Sequence, residues 1–113
     1  MSKTLFSKII DREIPAKIVY EDDLCVAFRD IDPRAPTHIL VVPRKPIASL
    51  SETSPEDQAL LGHLLLTAAK IARDEGHGEA FRLVVNNGEE AGQSVFHLHI
   101  HILGGRPFSW PPG

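Results

Sequence analysis

Hydrophobic and polar positions alternate near the end of the chain, where His97, His99 and His101 are separated by single aliphatic residues. Successive side chains of a β-strand point to opposite faces of the sheet. The pattern therefore predicts a strand at residues 95–103 that buries the aliphatic side chains and presents the three imidazoles together on an exposed face. Because histidine titrates near neutrality, this face would carry a row of groups suited to chemistry.

Shorter apolar runs predict the rest of a small antiparallel sheet. Residues 17–21 and 24–29 indicate two strands of a hairpin joined at Asp22-Asp23. The β-branched run at residues 37–43 predicts a further strand, and residues 81–86 predict another.

Helical spacing of apolar residues predicts two helices. A short one is expected from Thr4 to Ile10, with Thr4 as a possible N-cap. A long one begins at Ser54-Pro55 and ends at Gly76 or Gly78. Its apolar arc is roughly 180° wide, broader than one core contact needs. We therefore expect a homodimer contact on its second side, with a wide single-core helix as the alternative.

Length and composition limit the possible classes of protein. The 113 residues suffice for one hydrophobic core, so we expect a single domain over residues 1–113, an α+β fold on an antiparallel sheet. The net charge of −3 argues against binding long nucleic acid but leaves open a small anionic ligand. No segment resembles a signal peptide or a membrane span, so a cytoplasmic location is expected. The single cysteine, Cys25, is expected to be buried and unpaired.

The histidine row is suited to nucleophilic attack on phosphorus. Residues two apart in a strand are about 6–7 Å apart, so one ligand can contact neighbouring imidazoles. A hydrogen bond would fix the tautomer of His99, while its neighbours supply protons or positive charge. The resulting phospho-imidazole would be cleaved by water, which is typical of nucleotidyl transfer or hydrolysis.

Two other interpretations of the row stay open at this point. The histidines could line a solvated surface without any role. They could also bind catalytic zinc, which needs three protein ligands plus water, here His97, His99 and His38. Zinc is disfavoured because no cysteine lies nearby and the nearest carboxylates, Glu89 and Glu90, belong to a loop.

Two segments outside the histidine row could contact a ligand. In the loop at residues 86–94, Gly92 would allow close backbone approach, and Gln93 and Ser94 could hold phosphate oxygens. The alternative is an ordinary glycine-containing hairpin loop. Asp30, where a strand becomes a turn, could pair with ribose hydroxyls or simply cap the turn. His38 on local grounds is more typical of a structural, hydrogen-bonded histidine.

Residues 97–103 match the signature His-φ-His-φ-His-φ-φ, with φ hydrophobic, and on this motif the chain resembles the histidine triad (HIT) family. Other segments are similar to the Hint branch of that family, over essentially the whole chain: residues 6–10, 13–17, 35–38, 92–95 and 110–113. The resemblance implies a HIT-like fold with a five-stranded antiparallel sheet, one long and one short helix, and a homodimer with a continuous ten-stranded sheet. It also implies hydrolysis of purine nucleoside 5′-phosphoramidates, AMP or GMP joined to an amine, through a nucleotidyl-histidine, without metal or cofactor.

The resemblance also implies roles for particular residues. His99 would be the nucleophile and His101 would contact the phosphate or the leaving group, while His97 and His38 would orient the row. The implied nucleotide contacts are Asn86, Gly92, Gln93 and Ser94 at the phosphate, Asp30 at the ribose, Leu5, Phe6, Ile9, Phe28 and Ile31 around the purine, and Trp110 over the partner subunit's site. Composition alone would assign the five purine contacts to the core.

One departure from the family pattern concerns an outer proton relay. Some relatives carry a further histidine after two basic residues, where this chain has Pro46. Two other functions compete with phosphoramidate hydrolysis: a nucleotide-binding module with negligible turnover, and hydrolysis of dinucleoside polyphosphates. The Trp-Pro-Pro-Gly tail disfavours the second of these.

Overall fold

One antiparallel sheet forms the centre of the computed structural model, which describes residues 3–113. Its strands are β1 (Ile18–Glu21), β2 (Cys25–Arg29), β3 (Thr37–Pro43), β4 (Phe81–Val84) and β5 (Ile100–Gly104). They pair in the order β1-β2-β3-β5-β4. The predicted five-stranded antiparallel sheet is therefore confirmed, and β5, which contains the second half of the histidine motif, is flanked by strands on both sides.

The two predicted helices are also present. Helix α1 (Leu5–Ile10) begins after Thr4, whose Oγ1 accepts the backbone N–H of Ser7 at 3.0 Å, so Thr4 is the N-cap. Helix α2 (Gln58–Asp74) follows a 3₁₀ turn in which Asp57 Oδ2 accepts the backbone N–H of Ser54 at 3.0 Å. Gly76, with a positive φ of 88°, ends the helical segment as expected.

Each helix covers a different face of the sheet. Helix α2 packs its buried residues against one face, where the cluster includes Leu64, Ala68, Leu98, Ile100 and Ile102. Helix α1 covers part of the other face, where the cluster includes Phe6, Ile9, Val26, Phe28 and Leu40. Alternate residues of β5 and the segment before it therefore face different helices, as a strand pattern requires.

The predicted histidine strand is too long at its N-terminal end. Strand β5 begins at Ile100, which pairs with Val41 of β3, and not at residue 95. The physical reason lies in the partner: Pro43 has no N–H for a ladder, and its carbonyl accepts the His97 side chain instead. Leu98 then donates its backbone N–H to the carbonyl of Ile47, at 2.7 Å, in the segment after β3.

The long helix is tied to the first hairpin by a polar network. Asp22 accepts Tyr20 Oη–H and His63 Nε2, each at 2.7 Å, and the backbone N–H groups of Leu24 and Cys25. Cys25 is buried as predicted, and burial with the nearby Asp22 carboxylate raises the pKa of its thiol to about 12.

Within residues 3–113, no helix has the length and hydropathy to cross a bilayer.

Candidate active site

The three histidines of the motif lie together on the α1 side of the sheet, where β5 begins. The rings of His99 and His101 are neighbours, with centroids 5.0 Å apart. The alternation with buried Leu98 and Ile100 is as predicted. The row is not exposed, however: His97 and His99 are only 2% and 6% accessible. Phe6 of α1 covers them, with its ring centroid 4.9 Å from that of His99 and the planes at 88°.

The hydrogen bonds of His97 fix its tautomer. Nε2 lies 2.7 Å from the carbonyl oxygen of Pro43, and a carbonyl can only accept, so Nε2 carries the proton. Nδ1 is then the acceptor, and it faces the hydroxyls of Ser7 at 3.3 Å and Thr4 at 3.4 Å. His97 is therefore a neutral ring with both nitrogens bonded inside the protein.

The same reasoning gives His99 a free lone pair. Its Nδ1 lies 2.7 Å from the backbone carbonyl oxygen of His97, so Nδ1 carries the proton and donates it to that oxygen. Nε2 of the neutral ring is left unprotonated, which makes it the nitrogen available for attack on an electrophile.

His101 is oriented by a chain of two hydrogen bonds. The backbone N–H of Arg34 donates to His38 Nδ1 at 3.0 Å, so the proton of the neutral His38 ring resides on Nε2. That nitrogen lies 2.9 Å from His101 Nδ1 and donates to it. His101 consequently carries its own proton on Nε2, which can donate to a ligand. His38 therefore holds the ring of His101, and its expected role in orienting the whole row stays a prediction.

Burial lowers the pKa of all four imidazoles. For His101, burial and the neighbouring His99 and His38 rings lower the pKa to about 4. Burial likewise lowers the pKa of His38, of His97 and of His99 below the ordinary value, against smaller opposing contributions. These lowered pKa values favour neutral rings at pH 7, which offer lone pairs and N–H groups and carry no positive charge.

Hydrogen-bond geometry at His38 does not suit a metal ligand. A metal-bound histidine donates its other ring N–H to a carbonyl or carboxylate. If a metal were bound at Nε2 of His38, the ring proton would have to lie on Nδ1. Nδ1 faces the backbone N–H of Arg34, so two hydrogen-bond donors would then point at each other. Asp30, His38 and His101 do place one ligand atom each within 4.8 Å of the others, yet this donor conflict makes them a poor zinc site. The His97, His99 and His38 set considered above meets the same conflict.

A cavity of about 320 Å³ opens between α1 and the end of β2. The cavity is lined by all five residues for which the resemblance implies contact with the purine, namely Leu5, Phe6, Ile9, Phe28 and Ile31. Asp30 and Ser94 also line it. Its walls are mainly apolar, and Phe6 is shared with the histidine row. The structure thus brings together residues that are far apart in sequence, and it places them beside the imidazoles.

Asp30 sits at the cavity edge, just after β2 ends. Its Oδ1 accepts the backbone N–H of Asp32 at 2.8 Å, which fixes the carboxylate. The other oxygen lies 3.4 Å from His38 Nε2 and the side chain is 21% accessible. One carboxylate oxygen can therefore still contact a ligand.

The loop at residues 86–94 is held by Gln93, whose groups are all used within the protein. The side-chain Nε2 donates to the carbonyls of Ala48 and Val95, and Oε1 accepts the backbone N–H of Gly88. The backbone N–H of Gln93 donates to the carbonyl of Gly88. In this structure Gln93 therefore holds the loop in place, and its expected contact with phosphate stays a prediction.

The rest of the loop and the tail are more open. Gly92 has a φ of 100°, a conformation that favours glycine, and its Cα would direct a side chain toward Asn86. Ser94 is exposed at the cavity edge, and Asn86 is half-buried. Trp110 is 83% accessible and does not line the cavity of its own chain.

Sequence reasoning missed the groups that orient the imidazoles. Two are the hydroxyls of Thr4 and Ser7, and two are backbone groups, the N–H of Arg34 and the carbonyl of Pro43. The only signal for Thr4 is its N-cap position, and backbone groups leave no signal in residue type.

Comparison with known proteins agrees with this geometry. A family model described as "HIT domain" matches residues 11–108. The chain is 69% identical over 110 residues to an uncharacterised HIT-like protein of Synechocystis, which covers 97% of this chain and 96% of the relative. A HIT family hydrolase from Legionella pneumophila superposes with a TM-score of 0.96 at 48% identity, over 98% of this chain and 100% of that one. A histidine triad nucleotide-binding protein from Candida albicans gives a TM-score of 0.83 at 28% identity, over 96% and 83%. On the family match, the relatives and the buried histidine row, the chain belongs to the HIT domain family.

Proposed function

We propose that this protein hydrolyses purine nucleoside 5′-phosphoramidates, in which AMP or GMP is joined through a P–N bond to an amine. His99 would attack phosphorus and form a covalent nucleotidyl-histidine. Such an activity would assign the chain to the Hint branch of the HIT family. The observation that carries the proposal is the 2.7 Å contact between His99 Nδ1 and the carbonyl oxygen of His97, which leaves Nε2 unprotonated and available as the nucleophile.

The reaction can be written with these groups in two balanced steps. In the first, the His99 Nε2 lone pair forms the P–N bond to the enzyme, the substrate P–N bond breaks, and the departing nitrogen takes its electron pair and a proton from solvent. His99 keeps its Nδ1 proton, and the positive ring is stabilised by the His97 carbonyl. In the second, water attacks phosphorus, the bond to Nε2 breaks, and one proton returns to solvent. The products are the free amine and the nucleoside 5′-monophosphate.

Neighbouring groups supply binding and orientation. The Nε2–H of His101 would donate to a phosphate oxygen, and Asn86 and Ser94 with the backbone at Gly92 would contact the phosphate or leaving group. The apolar cavity of about 320 Å³ is within the usual range for small-molecule sites, roughly 300–1,000 Å³, and would take the base. The second carboxylate oxygen of Asp30, Oδ2, would accept hydrogen bonds from the ribose hydroxyls. None of these steps requires a metal or a cofactor.

The names of two relatives support this assignment in part. The Legionella protein is called a HIT family hydrolase, and the Candida protein is called a nucleotide-binding protein. Hydrolysis by this chain would combine the two descriptions at one site.

The decisive experiment is trapping of the intermediate. The protein is mixed with AMP linked to benzylamine, quenched in alkali to preserve phospho-imidazole, and digested for mass spectrometry. We expect a nucleotidyl adduct on His99 and release of benzylamine that persists after chelation. In His99→Ala, turnover falls by about 10⁴-fold or more, whereas His77→Asn, outside the site, retains activity. An adduct on another residue would overturn the mechanism.

The same assay separates the competing functions. A binding module predicts AMP binding with equal background rates for wild type and His99→Ala. A dinucleoside polyphosphate hydrolase predicts faster turnover of diadenosine triphosphate than of the phosphoramidate. Either result would replace the proposal.

We also propose that two copies form a homodimer with a continuous ten-stranded sheet. Strand β4 lies at a sheet edge, and an apolar groove of about 180 Å³ opens beside it, between α2 and the start of β5. Leu65 lines this groove and is 51% accessible, and Leu66 next to it is 75% accessible. Exposed apolar surface of this kind favours association. In such a dimer, Trp110 would reach the partner's site.

A further inference from the structure

Helix α1 connects the cavity to the histidine row. Leu5, Phe6 and Ile9 line the cavity, while the hydroxyls of Thr4 and Ser7 at the start of the helix contact His97 Nδ1. A six-residue helix cannot be stable alone, so its position depends on what packs against it. A base in the cavity would add such packing.

The hydroxyls form an ordered chain of hydrogen bonds toward His97. The backbone N–H of Ser7 donates to Thr4 Oγ1 at 3.0 Å, and Thr4 Oγ1–H donates to Ser7 Oγ at 3.1 Å. Each hydroxyl has one proton, so Ser7 Oγ–H remains as the donor to His97 Nδ1 at 3.3 Å. Thr4, at 3.4 Å from the same nitrogen, could replace it if Ser7 lacked a hydroxyl.

The hydrogen bonds that hold the ring of His97 also restrict the position of His99. Its ring is held at both nitrogens, by the hydroxyls and by the Pro43 carbonyl, and its backbone carbonyl accepts Nδ1–H of His99. Phe6, from the same helix, packs its ring against His99. Two separate contacts therefore lead from α1 to the nucleophile.

We propose that Thr4 and Ser7 are positioning residues and that α1 transmits base binding to His99. On this proposal, which rests on the proposed function, the purine raises kcat as well as affinity. Binding energy from a non-reacting part of the substrate is used to hold the attacking nitrogen in line with phosphorus.

The test measures kcat and KM of each enzyme variant with two substrates that share benzylamine as the leaving group. One substrate is the AMP phosphoramidate, and the other is 1-deoxyribose 5-phosphoramidate, which lacks the base. For Thr4→Val/Ser7→Ala we expect kcat on the AMP substrate to fall about tenfold with KM changed less than about threefold. On the base-free substrate, wild type should already have the lower kcat, and the double variant should change it by less than about twofold.

Four further variants separate positioning from folding. Ser7→Thr and Thr4→Ser keep both hydroxyls and should retain wild-type kcat. Thr4→Val loses the N-cap but leaves the Ser7 donor in place, so its kcat should stay near wild type. Ser7→Ala keeps the cap and should lose about threefold or less, because Thr4 can redirect its proton. ¹⁵N chemical shifts of His97 report its tautomer in each folded variant.

The outcomes are distinct. If the double variant folds, by circular dichroism, and keeps wild-type kcat on the AMP substrate, the proposal is overturned. It is also overturned if both substrates lose kcat equally, since α1 would then not transmit base binding. If the double variant fails to fold, the wild-type protein decides: a kcat for the base-free substrate equal to that for the AMP substrate overturns the proposal. If wild type hydrolyses neither substrate, it is the proposed function that has failed.

Discussion

The two faces of the sheet are built from alternate residues of one segment, yet they differ in chemistry. On the α2 face, Leu98, Ile100 and Ile102 join a cluster of hydrophobic side chains. On the α1 face, His97, His99 and His101 are buried or half-buried polar groups, each with a hydrogen-bond partner. Across the part of the chain from residue 3 onward, no buried side-chain nitrogen or oxygen lacks a partner. Within this segment, the aliphatic side supplies stability through area removed from water, whereas the imidazole side depends on hydrogen bonds to its polar groups.

This contrast predicts a large loss of stability when the aliphatic side of the segment is truncated. Truncating Ile102, which is 1% accessible, to alanine should lower the free energy of unfolding by about 2–5 kcal/mol. Urea denaturation followed by circular dichroism measures this. Ile31→Ala is the control: the side chain is 97% accessible, and we expect a change within about 0.5 kcal/mol. Similar losses for the two variants would contradict a stabilising role for the buried Ile102 side chain.

The α1 face should make stability depend on pH. The pKa of His101 is lowered to about 4 in the folded protein, whereas the unfolded chain takes up a proton near pH 6.5. Stability is therefore complete above pH 6.5 and is lost as the pH falls from 6.5 toward 4. The loss from this residue should be about 2 kcal/mol between pH 7.5 and pH 5.

The lowered pKa values of His38, His97 and His99 act in the same direction. Urea unfolding at both pH values checks the sign, and His101→Gln should reduce the pH dependence. Stability that rises on acidification through this range would show that the rings are not buried as neutral groups.

The smallest of the three expected changes in free energy concerns the proposed dimer contact on the outer side of α2. Leu65→Glu places a charge on the apolar groove and should raise the dissociation constant of the proposed dimer at least about tenfold, or 1.4 kcal/mol. Sedimentation equilibrium measures the dissociation constant. Gln58→Glu, an equal change of charge at an exposed position at the start of α2, should leave it unchanged. A wild-type protein that is monomeric at all concentrations would exclude this dimer.

Residue type predicted those parts of the fold that depend on local preference. The β-branched run predicted β3 as residues 37–43, and the cap at Thr4 predicted the start of α1. The histidine segment was less predictable, because alternation indicates which residues share a face but not where a partner strand ends. Pro43 ends the pairing that residues 95–99 would have needed.

In the candidate site, too, some features could be predicted from residue type and others could not. The motif indicated which imidazoles lie together, and the family resemblance implied the apolar residues that the fold gathers into one cavity. The tautomers could not be inferred, because they depend on carbonyl and N–H groups that any residue carries. Gln93 illustrates the limit: its amide suits phosphate, but the fold uses that amide to hold a loop.

The only tryptophan of the chain, Trp110, is largely in solvent at the far end of the polypeptide. Its fluorescence emission therefore reports on the tail, and disruption of the sheet would leave the wavelength of that emission nearly unchanged. Such a chromophore provides an optical probe that responds when another molecule or another copy covers the tail, independently of whether the interior remains folded.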